Sequence, residues 1–327
     1  MKSGDPKKIL VIRLDRIGDC MLSVPAIRAV KKAHPESHLA VMVKPQCRDI
    51  VSGSPFIDEV ILYDKDGYQK GVLQTAMLIA KIRRMRFDLA VILHPTARSH
   101  IIPFLAGIPV RAGYDRKMGA LLTLKVRHDK QLGSMHEIDY ALDLVRHIGC
   151  KDTDRRLAMP ENEASDRKVR DVFAGAGIGD RPLIVIHPAA SCPSKRWPAE
   201  RFAEAADKLI SAFGAAIVIV SGKSESSFGD AVAGSVKGKV LNLSGETSVG
   251  ELASLLRRSK LLISCDSGPV HIACAVGTPV VAIFGRSDKG LSPKRWGPTG
   301  PDDVILHKYV GCETCLAHNC DKGFECL

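Results

Sequence analysis

The stretch VIRLDRIGDCMLSVPAIRAVKKAHP, residues 11–35, decides the fold because it passes from one kind of secondary structure to another. Its first residues belong to the nearly continuous apolar run ILVIRL, residues 9–14, which is typical of a strand buried on both faces. From Val24 onward, apolar side chains recur at the spacing of an amphipathic helix. The segment RIGD, residues 16–19, is predicted to be a tight turn that places Asp19 at the junction of strand and helix.

The same succession of strand and helix continues along the chain. Predicted strands lie within residues 7–14, 38–44, 59–64, 87–94, 110–115, 182–190, 215–222, 240–245, 261–268 and 279–285. Predicted helices cover residues 23–33, 72–85, 136–149, 198–213 and 249–259. Apolar strands that alternate with amphipathic helices indicate an α/β protein whose parallel sheet is covered on both faces.

The length of 327 residues favours two domains, since one hydrophobic core rarely serves a chain of this size. Residues 150–166 are polar, lack hydrophobic periodicity and form the best predicted linker. We therefore expect two Rossmann-like domains, residues 1–155 and 156–327, that face each other across a cleft. In such folds ligands bind at the carboxyl ends of the strands.

Composition places the chain among ordinary soluble globular proteins, with 45% hydrophobic and 25% charged residues. No run approaches the ~18 apolar residues of a membrane-spanning helix. The N-terminal segment MKSGDPKKILVIRL has too short an apolar run for a signal peptide, because Arg13 interrupts it. We expect a cytoplasmic protein.

The net charge of +11 is concentrated in the first half of the chain. Residues 1–150 hold 24 Lys and Arg against 15 Asp and Glu, whereas residues 151–327 hold 23 against 21. A basic half favours an acidic partner, namely nucleic acid, an anionic membrane surface or a phosphorylated substrate. A solvated basic surface without a partner is the alternative.

The most informative loop lies in LLISCDSGPVHIACAVG, residues 261–277. A predicted strand ends at Asp266, and Ser267 and Gly268 open a helix that carries His271 one turn further along. A helix N-terminus of this kind binds anions through its free N–H groups and its dipole. The loop predicts a diphosphate site, with an ordinary capped helix as the alternative.

A second loop, HPAASCPSKRWP, residues 187–198, also follows a predicted strand. Its small residues and prolines favour an open loop from which Ser191 and Lys195 can reach a ligand. The Lys195 ammonium would offset negative charge on a departing phosphate.

Two further loops of the second half carry weaker signals. Gly222 and Glu225 lie at the end of the stretch 215–222 and just after it, and a carboxylate at this place often binds ribose hydroxyls. A solvent-exposed Glu explains Glu225 equally well. Thr247 and Ser248 precede a helix, where N-capping explains them without a ligand.

Asp19 also admits two interpretations. The stretch RLDRIGD has one glycine where a dinucleotide fingerprint needs three. The carboxylate could cap the following helix, or it could act as a general base that takes a proton from an incoming hydroxyl.

Three stretches together resemble the bacterial heptosyltransferases of glycosyltransferase family 9. They are RLDRIGDCMLSVPAIRAVKKAHP (13–35), HPAASCPSKRWPAERFAEAADKL (187–209) and ISCDSGPVHIACAVGTPVVAIFG (263–285). The resemblance implies a GT-B fold with an acceptor-binding N-terminal domain and a C-terminal domain that binds ADP-heptose. It also implies transfer of heptose to the inner core of lipopolysaccharide with inversion and without a catalytic metal or other cofactor.

The resemblance assigns roles to individual positions. It implies that Asp19 is the catalytic base and that Lys195 assists the departure of ADP. The implied donor-binding residues are Ser191, Gly222, Glu225, Thr247, Asp266, Ser267, Gly268 and His271. For Thr247 the implied contact with the adenine side is through the backbone.

The implied acceptor carries acidic sugars and phosphates on a lipid in the inner leaflet, which agrees with the basic first half. We expect its anionic groups to contact basic residues near strand ends, namely Arg13, Arg16, Lys44 and Arg98. The basic cluster KIRRMR, residues 81–86, could instead rest on anionic headgroups of the inner membrane. A solvated helix face is the alternative for each of these residues.

Four of the ten cysteines crowd the C-terminal stretch, at Cys312, Cys315, Cys320 and Cys326. Thiols at short spacing can hold zinc or an iron–sulfur cluster. This spacing matches no common ligand pattern closely, and a reduced structural tail is the interpretation that we favour over a metal site.

Two other functions remain open at this point. One is a GT-B transferase or epimerase that uses another nucleotide sugar, since the paired domains and the diphosphate site would be shared. The other is a non-catalytic protein that binds an anionic glycolipid. Nucleic-acid binding has little support, because aromatic residues make up only 5% of the chain and no stacking module is visible.

Overall fold

The computed structural model describes residues 5–312, 314–315 and 317–327. It divides the chain into two compact units. Unit 1 comprises Met1–Lys130 and Glu137–Pro160, and unit 2 comprises Gln131–His136 and Glu161–Leu327. The main division after Pro160 and the expected boundary after residue 155 both lie in the irregular stretch 151–162. The grouping of Gln131–His136 with unit 2 has no counterpart in the sequence pattern.

Unit 1 contains a six-stranded parallel sheet in the order β3-β2-β1-β4-β5-β6. Its strands are β1 (Lys8–Arg13), β2 (His38–Val43), β3 (Glu59–Leu62), β4 (Leu89–Ile92), β5 (Val110–Tyr114) and β6 (Leu124–Val126). Its helices are α1 (Ile17–Met21), α2 (Val24–Ala33), α3 (Arg48–Val51), α4 (Val72–Met85), α5 (Ala97–Leu105) and α6 (Glu137–Arg146).

Unit 2 contains a second six-stranded parallel sheet, in the order β12-β11-β10-β7-β8-β9. Its strands are β7 (Leu183–His187), β8 (Ala216–Ile219), β9 (Val240–Asn242), β10 (Leu261–Cys265), β11 (Val280–Phe284) and β12 (Val304–His307). Its helices are α7 (Glu163–Ala176), α8 (Ala199–Phe213), α9 (Ser226–Ser235), α10 (Val249–Arg257), α11 (Gly268–Val276) and α12 (Pro293–Trp296).

Each sheet has its own hydrophobic core, because the central strands are apolar on both faces. In unit 1 the core joins the central strands to the inner sides of α4 and α5, for example through Leu10, Ile92 and Ile82. In unit 2 it joins β7, β8 and β10 to α8 through residues such as Ile186 and Phe202. The expected α/β architecture with two parallel sheets is confirmed.

The structure corrects three local expectations. Residues 16–19 are not a tight turn, because Ile17–Met21 forms a one-turn helix before α2. The end of the predicted linker, from residue 163, belongs to helix α7. The short edge strands β6 and β12 were not predicted, since neither presents a long apolar run and β12 is exposed along its whole length.

Among the residues that the structure describes, no helix combines the length and the apolar character needed to cross a lipid bilayer.

Candidate active site

Asp19 lies directly beyond the carboxyl end of β1, in the first turn of α1. Arg16 occupies the N-cap position and makes no side-chain capping bond, so Asp19 does not cap this helix. Its carboxylate accepts a hydrogen bond of 2.9 Å from the Arg13 guanidinium instead. The capping interpretation of Asp19 is therefore wrong, and its side chain remains 21% exposed.

Arg13 is the centre of a buried charged network, although it was predicted to contact the acceptor. Its side chain is 2% exposed and donates to Asp15 at 2.8 Å and to the Leu93 carbonyl at 3.1 Å. A third contact, at 3.4 Å, reaches Glu137, which also pairs with Lys130 at 2.6 Å. The donors of Arg13 therefore face inward, toward Asp19 and the other partners of this network.

Two pKa values in this network depart strongly from ordinary values. Burial raises the pKa of Asp15 to about 7. The Arg13 guanidinium acts to lower this pKa, whereas the Asp19 and Glu137 carboxylates act to raise it. Burial, together with Arg13 and Lys130, lowers the pKa of His94 to about 3. The His94 ring lies 3.4 Å from Asp15, so a neutral imidazole stands beside a carboxyl group that titrates near neutrality.

The other predicted acceptor residues lie at the same edge of the unit 1 sheet, past the ends of β1, β2 and β4. Arg16 is exposed. Lys44 forms an ion pair of 2.6 Å with Asp66 and holds the pKa of that carboxyl below its usual range. Arg98 is exposed in the first turn of α5 and donates to the Lys65 carbonyl at 3.1 Å.

In unit 2, the structure brings Lys195 and Asp266 together. Lys195 ends a 3-10 turn after β7, and Asp266 follows the last residue of β10. Their ammonium and carboxylate groups are 2.6 Å apart, with side chains 16% and 7% exposed. A cation is thereby fixed beside the first residues of α11.

Helix α11 starts at Gly268, as the sequence predicts, with proline in its first turn. Ser267 is the N-cap residue but makes no side-chain capping bond. Its hydroxyl contacts Ser264 at 3.0 Å and the buried His187 ring at 3.1 Å. Burial lowers the pKa of His187 to about 4, so the ring is neutral at physiological pH.

The remaining predicted donor residues follow neighbouring strands of the same sheet, except His271, which is buried within α11. Ser191 is exposed in the loop before Lys195, and Gly222 is exposed after β8. Glu225 lies in the adjoining turn, where its backbone N–H donates to the Gly222 carbonyl. Thr247 precedes Ser248, which caps α10 in a capping box with Glu251. The capping interpretation is therefore confirmed for Ser248 only.

The cysteine-rich tail packs beside this site. The Ala317 carbonyl accepts a hydrogen bond of 3.1 Å from the Ser194 backbone, next to Lys195. Burial and the neighbouring thiols raise the pKa of Cys326. Within residues 5–312, 314–315 and 317–327, no three His, Cys, Asp or Glu side chains are grouped so that they could hold a metal ion.

Sequence reasoning missed Asp15, His94, Lys130, Glu137 and His187. Asp15 directly follows a predicted strand and His94 is the last residue of another, and this position at a strand end is a signal that could have found them. Lys130 and Glu137 lie more than 110 residues from Arg13 in the sequence, and no motif surrounds them.

Comparisons with known proteins give relatives across most of the chain. Lipopolysaccharide heptosyltransferase 2 of Salmonella typhimurium is 29% identical over 296 residues, covering 88% of this chain and 85% of the relative. A solved family 9 glycosyltransferase from Veillonella parvula superposes with a TM-score of 0.84 and 27% identity, covering 92% of this chain and 85% of that one.

The structure of Escherichia coli ADP-heptose lipopolysaccharide heptosyltransferase II gives a TM-score of 0.79 and 26% identity, covering 93% of this chain and 91% of that one. Residues 75–324 match the sequence model of glycosyltransferase family 9 (heptosyltransferase). Because this match spans well over half of the protein, the chain belongs to glycosyltransferase family 9.

Proposed function

We propose that this protein transfers heptose from ADP-heptose to the inner core of lipopolysaccharide. Its relatives are named as lipopolysaccharide heptosyltransferases, and one is named for ADP-heptose. The observation that carries the proposal is the Lys195–Asp266 ion pair at the start of α11. It fixes a cation beside a helix N-terminus, and both features favour a diphosphate.

In this proposal, unit 2 binds the donor. The α11 N-terminus at Ser267 and Gly268 holds the diphosphate, and His271 supports it from within the helix. Lys195 stabilises the charge that develops on the departing ADP. Glu225 accepts hydrogen bonds from the ribose, with Gly222 leaving room beside it. Ser191 and the Thr247 backbone complete the donor contacts.

Asp19 acts in the proposal as the general base. It accepts the proton of the acceptor hydroxyl as that oxygen attacks the anomeric carbon. Attack from the face opposite ADP breaks the bond to the leaving diphosphate and inverts the anomeric configuration. Arg13 orients the Asp19 carboxylate and has no contact with substrate.

We further propose that no metal ion takes part in the transfer. The departing diphosphate already meets the Lys195 ammonium and the positive end of α11, which supply the charge that a divalent cation provides in other transferases.

Unit 1 receives the acceptor in this proposal. Arg16, Lys44 and Arg98 lie at one edge of its sheet, and they are suited to phosphates and acidic sugars. An acceptor of this class is lipid-anchored, so the protein would work at the cytoplasmic face of the inner membrane.

A transfer assay tests the proposal. The protein is incubated with ADP-heptose and lipopolysaccharide acceptors truncated before heptose, with and without a chelator. We expect one ADP released for each heptosyl group added, measured by product mass, and turnover within about twofold when the chelator is present.

Other outcomes of this assay would contradict the proposal in distinct ways. Transfer of a sugar from another nucleotide sugar, with no transfer from ADP-heptose, would refute the donor assignment. Acceptor binding without release of any nucleotide would indicate a glycolipid-binding protein. Loss of turnover with the chelator, restored by a divalent cation, would refute the metal-free mechanism only.

A further inference from the structure

Helix α4 exposes large apolar side chains that an ordinary surface helix would turn inward. Val72 is 88% exposed, Leu73 69% and Met77 60%, and Tyr68 just before the helix is 70% exposed. The core side of the same helix is occupied by other residues, because Leu78 and Ile82 fill the unit 1 core. The exposed residues therefore form a second apolar face. A grouped apolar surface of this kind typically marks an interaction site.

The second half of α4 and the residue after it are strongly basic. Lys81, Arg83, Arg84 and Arg86 are exposed. Within the described part of the chain, these four side chains form no ion pair. Residues 68–87 also contain Lys70 and no Asp or Glu. All formal charges of this segment are therefore positive, and most of them lie at its C-terminal end.

The apolar and basic groups share one side of the helix. Residues four apart lie above one another on a helix surface, so Leu73, Met77 and Lys81 form one line along it. Arg84 continues this line, and Val72, Ala76, Ala80 and Arg83 follow a neighbouring line. The outward face of α4 is thus apolar at its N-terminal end and cationic at its C-terminal end.

We propose that the outward face of α4 docks on the surface of an anionic phospholipid bilayer. An amphipathic surface with both grouped apolar side chains and unpaired cations fits this partner, because the apolar groups enter the headgroup boundary and the cations meet lipid phosphates. This inference rests on the proposed function in one respect only: the docking contact brings the protein to its lipid-anchored acceptor.

Vesicle binding tests the inference with the full chain. Its partition is measured by co-sedimentation with vesicles of phosphatidylcholine alone and of an equal mixture with phosphatidylglycerol, at low and high salt. We expect binding to the mixed vesicles that weakens with salt, and little binding to phosphatidylcholine. The variants Leu73→Ser/Met77→Ser and Lys81→Glu/Arg84→Glu should each lose at least about tenfold in partition.

Matched controls come from unit 2. Phe213 is 67% exposed at the end of α8, and Lys237 and Lys239 are exposed before β9. Phe213→Ser and Lys237→Glu/Lys239→Glu should bind mixed vesicles like the wild-type protein. All variants should transfer heptose to a deacylated, water-soluble acceptor at wild-type rates, which separates membrane docking from the proposed catalysis.

Several results would overturn the inference. Failure of the wild-type protein to bind the vesicles that contain phosphatidylglycerol would overturn it. Binding of the α4 variants at the level of the control variants would also overturn it. Wild-type self-association that Leu73→Ser/Met77→Ser abolishes without any change in vesicle binding would identify the face as a contact between copies of the chain. Absence of heptosyl transfer to the soluble acceptor by the wild-type protein and by every variant would count against the proposed function. It would not affect the docking result.

Discussion

At the scale of single residues, the carboxylate of Asp19 is held by a guanidinium that solvent barely reaches. Arg13 spans Asp15, Asp19 and Glu137 within unit 1, and Lys130 supports the far side of this network. Burial alone would lower the pKa of Arg13, but the Asp15, Asp19 and Glu137 carboxylates raise it above its usual value. Arg13 is therefore a permanent cation. The inward orientation of Arg13 could not be predicted, because a basic residue at a strand end has the same sequence signature whether it faces in or out.

The variant Arg13→Lys distinguishes a positioning role from an acceptor contact. Lysine keeps the charge but cannot reproduce the planar set of contacts with Asp15, Asp19 and the Leu93 carbonyl. We expect kcat to fall by about 10- to 100-fold with little change in the KM for acceptor, since a displaced base slows the reaction without weakening binding. Arg16→Lys, in the same loop, should mainly raise that KM. A raised KM with wild-type kcat in Arg13→Lys would contradict the positioning role.

At the scale of elements, the proposed donor site lies where β7, β10 and α11 meet. His187 ends β7, Ser264 lies in β10 and Ser267 is the N-cap residue of α11, and their side chains contact one another. The glycine, proline and serine at the start of α11 predicted this helix start, because local backbone preferences determine it. The contact with His187 could not be predicted, since it depends on the pairing of strands that are 77 residues apart in sequence. The packing of the cysteine-rich tail beside Lys195 escaped prediction for the same reason.

The buried, neutral His187 makes stability depend on pH. Its pKa of about 4 in the folded chain lies below the ordinary value of 6.5, so the unfolded chain binds more protons between these values. The free energy of unfolding should therefore decrease as pH falls from 6.5 to 4, by up to about 3 kcal/mol from this group. Above pH 6.5 it should contribute no pH dependence.

Urea unfolding of wild-type protein and His187→Gln at several pH values measures this contribution. Asp15 and His94 also titrate anomalously, but they are present in both proteins and cancel in the difference between them. The difference in unfolding free energy should change in favour of the variant as the solution is acidified. Parallel pH profiles for the two proteins would show that His187 is not buried as a neutral ring.

At the scale of the whole molecule, the chain is a repeated α/β pattern divided into two units. The two parallel sheets could be predicted from the sequence, because the apolar pattern of each strand and each helix shows which of its faces is buried. The grouping of Gln131–His136 with unit 2 could not be predicted. The residues on either side of this segment, Lys130 and Glu137, are buried in unit 1. Its anchors are contacts distant in sequence, such as His136 with the Gly297 carbonyl at 3.0 Å.

The central claim is that Asp19 provides the base for heptosyl transfer, and Asp19→Asn tests it most directly. Turnover of ADP-heptose with a truncated lipopolysaccharide acceptor is measured beside the affinity for ADP, with Asp115→Asn, an exposed aspartate of unit 1, as the control. Asp19→Asn should reduce kcat by about 10²- to 10⁴-fold and leave the Kd for ADP within about twofold, while Asp115→Asn changes neither. Wild-type kcat in Asp19→Asn would contradict the account.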